Sequence, residues 1–272
     1  MKEKNALKTL IYINVGVFVF ISFLRVFSYL FQSDIDISFL GLSSNINMLI
    51  TKPWTLITYM FVHQDLFHII ANMFWLYFGG KIFINYLSKH KLVSTYLMGG
   101  FFGAIVYIIA FNVFPVFETI KYAPIVAMGA SASVLAILIA SATYVPHYPI
   151  RFLNITIKLK YIAITAIIID ILSIPTGNSG GHIAHLGGAL YGYTYICLHK
   201  RNINIGYLIE QLIVLASKKN IAKTKTRRES DYEYNARKHK EEARINTILE
   251  KISRSGYDSL SSEEKNELFK HK

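Results

Sequence analysis

The organisation of the chain is decided by residues 128–145, which read MGASASVLAILIASATYV. This run is too apolar for a surface loop and approaches the length of about 20 residues that crosses a bilayer. Ser131 lies near its start, between residues with very small side chains. Such a serine fills little of a core but presents its hydroxyl, so we predict that Ser131 is a nucleophile. The alternative is a serine that serves helix packing alone.

Composition indicates a membrane protein. The 272 residues are 53% hydrophobic and 14% aromatic, which is high for a soluble protein. Cys197 is the single cysteine of the sequence, so an intramolecular disulfide and a cysteine-based metal cage are excluded.

Apolar segments of spanning length recur along the first 199 residues. Six candidates are found, at residues 10–31, 66–86, 92–114, 126–145, 161–174 and 182–198. The expected fold class is therefore an all-α membrane protein, a bundle of six transmembrane helices.

Basic residues concentrate on one side of these spans. That side carries Lys2, Lys4, Lys8, Lys81, Lys89, Lys91, Arg151, Lys158, Lys160 and the C-terminal tail. The opposite loops carry Lys52 and Lys121. By the positive-inside rule we expect both termini to be cytoplasmic.

The sequence divides into three regions. Residues 1–199 form the six-span core. Residues 200–240 hold a short apolar stretch at 203–216, predicted to be an interfacial helix, followed by a basic linker that suits an anionic membrane surface. Residues 241–272 are predicted to be a small cytoplasmic helical module, because Gly256 can close one helix and Ser261 with Glu264 can form a capping box for another.

Polar side chains inside three spans suggest chemistry, because such groups are costly in lipid. His68 and Asn72 share one face of the second span, Ser131 lies on the fourth, and His185 lies on the sixth. A histidine base can activate a serine for acyl transfer. An Asn amide, a His N–H and the serine backbone N–H can stabilise the resulting oxyanion.

The remaining polar groups of the spans receive structural interpretations. His182 is expected at the mouth of the site, and His63 is expected to be structural. Asp170 lies near the outer end of the fifth span, and we expect it to meet water or a polar neighbour rather than orient a histidine. Gly188 and Gly192, four residues apart, let another helix approach the sixth closely.

Three motifs carry a resemblance to a known family. They are HQDLFHIIAN at residues 63–72, GASAS at 129–133 and AHLGGALYG at 184–192. Across residues 10–198 the chain resembles the rhomboid intramembrane serine proteases, with the three motifs in the family's order and on the family's spans. The fold implied is a rhomboid-like bundle with a cytoplasmic helical tail, and the tail looks like extensions found in rhomboids of the Bacteroidetes lineage.

The resemblance implies roles for individual residues. Ser131 is the nucleophile and His185 the base, in a dyad without a triad acid. His68 and Asn72 line the oxyanion hole. The supporting glycines are Gly129, which places the nucleophile at the helix start, and Gly188 with Gly192, which seat the sixth helix against the fourth.

The chain also departs from the family's pattern at three positions. Ala132 replaces the usual glycine after the nucleophile, and Leu135 replaces an aromatic residue that stacks on the base. Thr55 stands where many relatives have an arginine after Trp54.

The function implied is hydrolysis of peptide bonds in or near transmembrane segments of membrane proteins. The expected setting is the inner membrane of a bacterium, with the bilayer and membrane-protein substrates as partners, no cofactor, no metal and no nucleic acid; the oligomeric state stays open. One alternative is a metal-binding membrane protein or transporter lined by His63, His68, His182 and His185. Against it, the sequence has no HExxH pair, and we expect no acid to accompany these histidines within the spans. The other alternative is a non-catalytic rhomboid-like protein that binds clients.

Overall fold

The computed structural model describes residues 4–33, 35–119, 126–152, 155–219 and 244–265. The chain forms two compact units, Met1–Ser217 and Lys218–Lys272. The expectations for Lys2, Lys121 and most of the basic linker lie outside the described residues, as do those for both ends of the helical module.

The first unit is built from helices and two small antiparallel sheets. Its α-helices are α1 Lys4–Leu30, α2 Ile46–Thr51, α3 Thr55–Thr58, α4 Leu66–Tyr86, α5 Lys89–Val113, α6 Ser131–Tyr144, α7 Leu159–Ser173, α8 Ser179–His199 and α9 Tyr207–Lys219. Short 3-10 turns occupy Ser38–Leu40, Tyr59–Phe61, Pro115–Phe117 and Ile174–Thr176. Strand β1 Leu42–Ser43 pairs with β2 Val126–Ala127, and β3 Pro149–Phe152 pairs with β4 Ile155–Lys158.

Helix α1 and helices α4 to α8 correspond to the six predicted spans, which confirms an all-α membrane bundle. Four described segments are long and apolar enough to cross a membrane: Ala6–Leu30, Leu66–Tyr86, Lys89–Val113 and Leu159–Thr176. Helix α8 is also 21 residues long, but its glycines and histidines lower its hydropathy. Helix α6 has only 14 residues, or about 21 Å at 1.5 Å per residue, which is shorter than a hydrocarbon core of about 30 Å.

Helix α6 forms the centre of the bundle, where α4, α5 and α8 all pack against it. Glycines make the approach of α8 possible: a Cβ at Gly188 would overlap the carbonyl of Ala132, and one at Gly192 would overlap that of Ala136. These two glycines lie where the predicted contact between the fourth and sixth spans requires them.

The predicted start of the fourth span at Val126 is wrong, because α6 begins at Ser131. Val126 and Ala127 instead form β2, which pairs with β1 of the loop after α1. Gly129 has a φ of 136°, a conformation incompatible with a continuous helix. The chain therefore turns from a strand into a helix directly before the serine.

The loop between α1 and α4 packs on α5. Nδ2 of Asn112 donates to the carbonyl of Ser44 at 2.9 Å, and the hydroxyl of Tyr59 donates to the carbonyl of Gly100 at 2.7 Å. Within the loop, Nε1 of Trp54 donates to the carbonyl of Phe39 at 2.9 Å. Because the bonds of Ser44 and Tyr59 join the loop to α5, the loop is fixed to the helical bundle.

The second unit contains a helix over residues 244–255 and the start of another at 262–265. Gly256, with a φ of 77°, ends the first helix, and its N–H donates to the carbonyl of Ile252 at 2.9 Å. The predicted capping box is present: the N–H of Glu264 donates to Oγ of Ser261 at 3.2 Å, and the N–H of Ser261 donates to Oε2 of Glu264 at 2.7 Å.

Candidate active site

A cavity of about 1060 Å³ lies among α4, α6, α7 and α8. The four predicted catalytic and oxyanion-hole residues all line it: Ser131, His185, His68 and Asn72. Three separate helices supply them, as the spacing of the motifs along the sequence predicts. Pockets that combine apolar walls with a few convergent polar groups are typical binding sites.

Ser131 is the first residue of α6, and its position is fixed by the segment before it. Strand β2 is held by β1. The N–H of Gly129 then donates to the carbonyl of Tyr59 at 2.9 Å, and the N–H of Ala130 donates to Nε2 of His63 at 3.4 Å. The loop after α1 thus holds every residue between the strand and the serine except Met128.

Gly129 brings this segment against His68. A Cβ on Gly129 would lie 2.8 Å from Nε2 of His68 and 3.6 Å from Oγ of Ser131. Glycine is required here for its positive φ and for this close approach. The same measurements show that the His68 ring and the Ser131 hydroxyl both lie close to the position that this Cβ would occupy.

His63 is fully buried, and its ring packs edge-on against that of His68 with centroids 5.2 Å apart. Burial, with a smaller contribution from neighbouring His68, lowers the pKa of His63 to about 4. The ring is therefore neutral near pH 7, and Nε2 can accept the N–H of Ala130. In agreement with the predicted structural role, His63 holds the backbone of Ala130 through this hydrogen bond.

Helix α4 begins with a side-chain cap that also orients its polar face. Oδ1 of Asp65 accepts the N–H of His68 at 2.8 Å, as an N-cap aspartate does. One turn on, Nδ2 of Asn72 donates to the carbonyl of His68 at 2.9 Å. Because an amide carries two N–H groups, Asn72 retains a donor for the cavity.

His185 has an acidic partner that the sequence did not predict. Nδ1 of His185 lies 2.7 Å from Oδ1 of Asp170 on α7, and Asp170 is only 7% exposed. The expectation that no acid accompanies the base is wrong. The reason is that the turn between α7 and α8 folds the end of one helix onto the start of the next, a contact that no local pattern reveals.

The same carboxylate oxygen also contacts His182, whose Nδ1 is 2.8 Å away. The ligand-type atoms of Asp170, His182 and His185 lie within 4.8 Å of one another and could hold a metal ion. The two nitrogen–oxygen distances are ordinary hydrogen-bond lengths. Of the four histidines proposed as metal ligands, His63 and His68 lie outside this group.

Ser131 and Ser133 have different surroundings. Among the described residues, Oγ of Ser131 has no hydrogen-bond partner, and the residue lines the cavity. Ser133 is fully buried, and its Oγ lies 3.8 Å from Sδ of Met60. Leu135, where the family commonly has an aromatic ring, also lines the cavity.

Two families match the chain. The rhomboid domain matches residues 50–202, which is more than half of the chain. A family of unknown function, DUF6576, matches residues 228–271.

Curated relatives agree with the first match. The chain is 33% identical over 140 residues to the mouse (Mus musculus) presenilin-associated rhomboid-like protein, mitochondrial. The matched region covers 50% of this chain and 35% of that protein. It is 30% identical over 200 residues to RHOMBOID-like protein 12, mitochondrial, of Arabidopsis thaliana, covering 70% of this chain and 56% of that protein. The chain therefore spans between about a third and just over half of the length of these relatives.

Proposed function

Because this chain belongs to the rhomboid family, we propose that it is an intramembrane serine endopeptidase with Ser131 as nucleophile and His185 as base. The observation that carries the proposal is one cavity, inside an apolar helical bundle, that is lined by Ser131, His185, His68 and Asn72. These are the residue types that acyl transfer to a serine requires.

The proposed reaction has two halves. Nε2 of His185 takes the hydroxyl proton as Oγ of Ser131 attacks the scissile carbonyl, and the carbonyl electron pair moves onto its oxygen. Collapse of this intermediate breaks the C–N bond, and His185 delivers the proton to the leaving amine. In the second half the same ring takes a proton from water, whose oxygen attacks the acyl carbonyl carbon. The ester C–O bond then breaks, the new carboxyl group leaves, and His185 returns the proton to Oγ of Ser131.

The oxyanion is proposed to lie between α4 and the start of α6. The first intrahelical bond there runs from the N–H of Val134 to the carbonyl of Ala130, and no side chain caps the helix. The N–H groups of the first turn are thus available, with the positive end of the helix dipole behind them. The Asn72 amide and the His68 ring supply further donors from α4.

Transmembrane segments are the proposed substrates. Between α4 and α7 the cavity is bordered by apolar side chains, among them Trp75, Ile162 and Ile169. An extended segment from a membrane-embedded chain can bury its apolar side chains against these walls, whereas a water-soluble peptide has no such preference for them.

The test is cleavage of a model single-span protein by the purified full chain in proteoliposomes. Ser131→Ala and His185→Ala are each expected to lower kcat by at least about 10⁴-fold. The matched control is Ser133→Ala, two residues along α6, which is expected to retain activity within a few-fold. Full activity of either active-site variant contradicts the proposed function.

The metal-binding alternative is tested in the same preparation. A strong chelator is expected to leave cleavage unchanged. Stoichiometric zinc in the purified protein, with activity that the chelator abolishes, would favour a metal-dependent enzyme.

We propose that residues 1–199 form the protease core, with 200–240 as interfacial helix and linker and 241–272 as a cytoplasmic module. The clustering of basic residues supports cytoplasmic termini, and the inner membrane of a bacterium is the setting that we propose from the resemblance of the tail. The two relatives described above are mitochondrial by name. Truncation after Ala216 is expected to preserve cleavage, and a folded but inactive truncated protein would contradict this division.

A further inference from the structure

Asp170 is a buried acid whose side chain joins two helices of the site. It lies in α7, is 7% exposed, and directs Oδ1 at Nδ1 of His185 at 2.7 Å. An ionised carboxylate in an apolar bundle is costly unless hydrogen bonds compensate for lost hydration. Its two histidine partners on α8 supply that compensation.

We propose that Asp170 is the positioning residue for the catalytic base, so that this chain works as a Ser131–His185–Asp170 triad. The inference rests on the proposed function. It departs from the dyad that the resemblance implies.

The chemistry of the contact sets the tautomer of the base. A carboxylate only accepts hydrogen bonds, so the proton of neutral His185 resides on Nδ1. Nε2 is then unprotonated, which is the form that can take the proton of Ser131. When the imidazolium forms, the nearby negative charge stabilises it, while Asp170 itself stays ionised.

His182 contacts the same oxygen, but its place in the site differs. His185 and Asp170 line the cavity together with His68 of α4 and Asp65, the N-cap of that helix, whereas His182 does not line it. We therefore assign His182 the role of a second donor to the buried carboxylate, with no direct part in the reaction.

The deciding experiment compares Asp170→Asn, Asp170→Glu and His182→Gln with the wild type, by kcat, KM and melting temperature. Asparagine keeps the shape of the side chain, but its amide group can donate to Nδ1 and stabilise the wrong tautomer. We expect Asp170→Asn to lower kcat by about 10²- to 10⁴-fold with KM and melting temperature nearly unchanged. Glutamate is expected to restore part of the rate because it keeps the charge.

The rate of Ser131 labelling by a fluorophosphonate provides a second readout and should fall in parallel with kcat. His182→Gln, the matched control, keeps an N–H donor for the carboxylate of Asp170 and should therefore stay within a few-fold of the wild type in both. Activity of Asp170→Asn close to that of the wild type overturns the proposal. An equal loss in His182→Gln also overturns it, since Asp170 would then act through packing of α8.

Nitrogen NMR of the imidazole rings separates this inference from the proposed function. In the wild type at neutral pH, His185, assigned by its loss in His185→Gln, is expected to carry its proton on Nδ1. A proton on Nε2 overturns the positioning role even if the enzyme is active. A wild-type protein that neither cleaves the substrate nor reacts with the fluorophosphonate overturns the proposed function, and with it the triad.

Discussion

Helices α6 and α7 border the same cavity but are packed in opposite ways. In α6, the helix of Ser131, eleven of 14 residues are buried, from Ala132 through Ala142. In α7, the helix of Asp170, three of 15 are buried. The first is packed between other helices, whereas seven residues of the second are exposed. Three of these seven, Tyr161, Thr165 and Ile169, line the cavity.

This difference indicates that α6 is the rigid side of the cavity and that α7 is the side that can move. Ser131, the proposed nucleophile, and the proposed backbone donors begin α6, in which Ala132 to Ala142 are all buried, and such close packing restricts movement. Near its end toward α8, α7 is tied to the bundle by Asp170, which bonds His182 and His185. Displacement of α7 would therefore separate Asp170 from His185 without moving Ser131.

Among the variants that test this comparison, Gly129→Ala is expected to have the largest effect, because it changes the segment that leads into the closely packed helix α6. The added methyl group meets a positive φ and the His68 ring at 2.8 Å, so the serine or the oxyanion donors must shift. A displacement of about 1 Å can cost about 10²-fold in rate. Cleavage rates in proteoliposomes measure the loss.

Gly177→Ala is the matched control for that prediction. Gly177 also has a positive φ, of 147°, but a Cβ there meets nothing within 4 Å. In Gly177→Ala, the backbone strain should lower the melting temperature, while the cleavage rate should change little. Equal losses in rate for both variants would mean that strain, rather than contact with His68, explains the result.

A matched pair of truncations tests the packing difference directly. Ile137 in α6 and Leu159 in α7 are both fully buried, and alanine removes the same number of carbon atoms from each. Ile137→Ala is expected to lower the free energy of unfolding of the whole bundle by about 2–5 kcal/mol. Leu159→Ala is expected to act locally, raising hydrogen exchange in α7 with a smaller change in melting temperature.

Hydrogen exchange in detergent, resolved by peptide, distinguishes the two outcomes. Faster exchange confined to α7 in Leu159→Ala supports the comparison. Exchange that rises equally in α6 and α8 contradicts it, because α7 would then unfold only together with the rest of the bundle.

The parts of the structure that the sequence predicted are those that depend on composition over many residues. The long apolar runs located the spanning helices, and the motifs that carry His68, Ser131 and His185 pointed to residues that line one cavity. The catalytic roles of these residues stay predictions. The start of α6 was misplaced because Val126 and Ala127 are apolar enough to extend the helix, and only a partner strand more than eighty residues earlier along the chain reveals the turn.

The β3–β4 hairpin and the bond between Asp170 and His185 differ in how clearly the sequence indicates them. The hairpin of β3 and β4 has alternating side chains around Ile150 and Ile157 that indicate strands, but the division of the sequence into apolar spans makes no use of this pattern. The bond between Asp170 and His185 left no such signal, since it depends on the angle at which α7 and α8 meet. An acid in a span was the available clue, because such residues are rare in lipid and usually functional.

The smallest expected effect concerns the hydrogen bond from the N–H of Ala130, just before α6, to Nε2 of His63. His63 accepts the N–H of Ala130 only while its ring is neutral, and protonation would replace the acceptor with a donor beside His68. Because burial lowers the pKa of His63 from 6.5 to about 4, the unfolded chain binds the proton first as pH falls. The stability contributed by the neutral ring is therefore present above pH 6.5 and is lost progressively toward pH 4.

Melting temperatures in detergent between pH 7 and pH 4 measure this contribution. At about 1.4 kcal/mol per pKa unit, the loss for the wild type is at most about 3 kcal/mol. His63→Gln should start lower at pH 7 and decline less steeply, because it has no ring to protonate. His147→Gln, which changes an exposed histidine, should keep the wild-type slope. An unchanged slope in His63→Gln would mean that the start of α6 is held by Tyr59 and the β1–β2 pair alone.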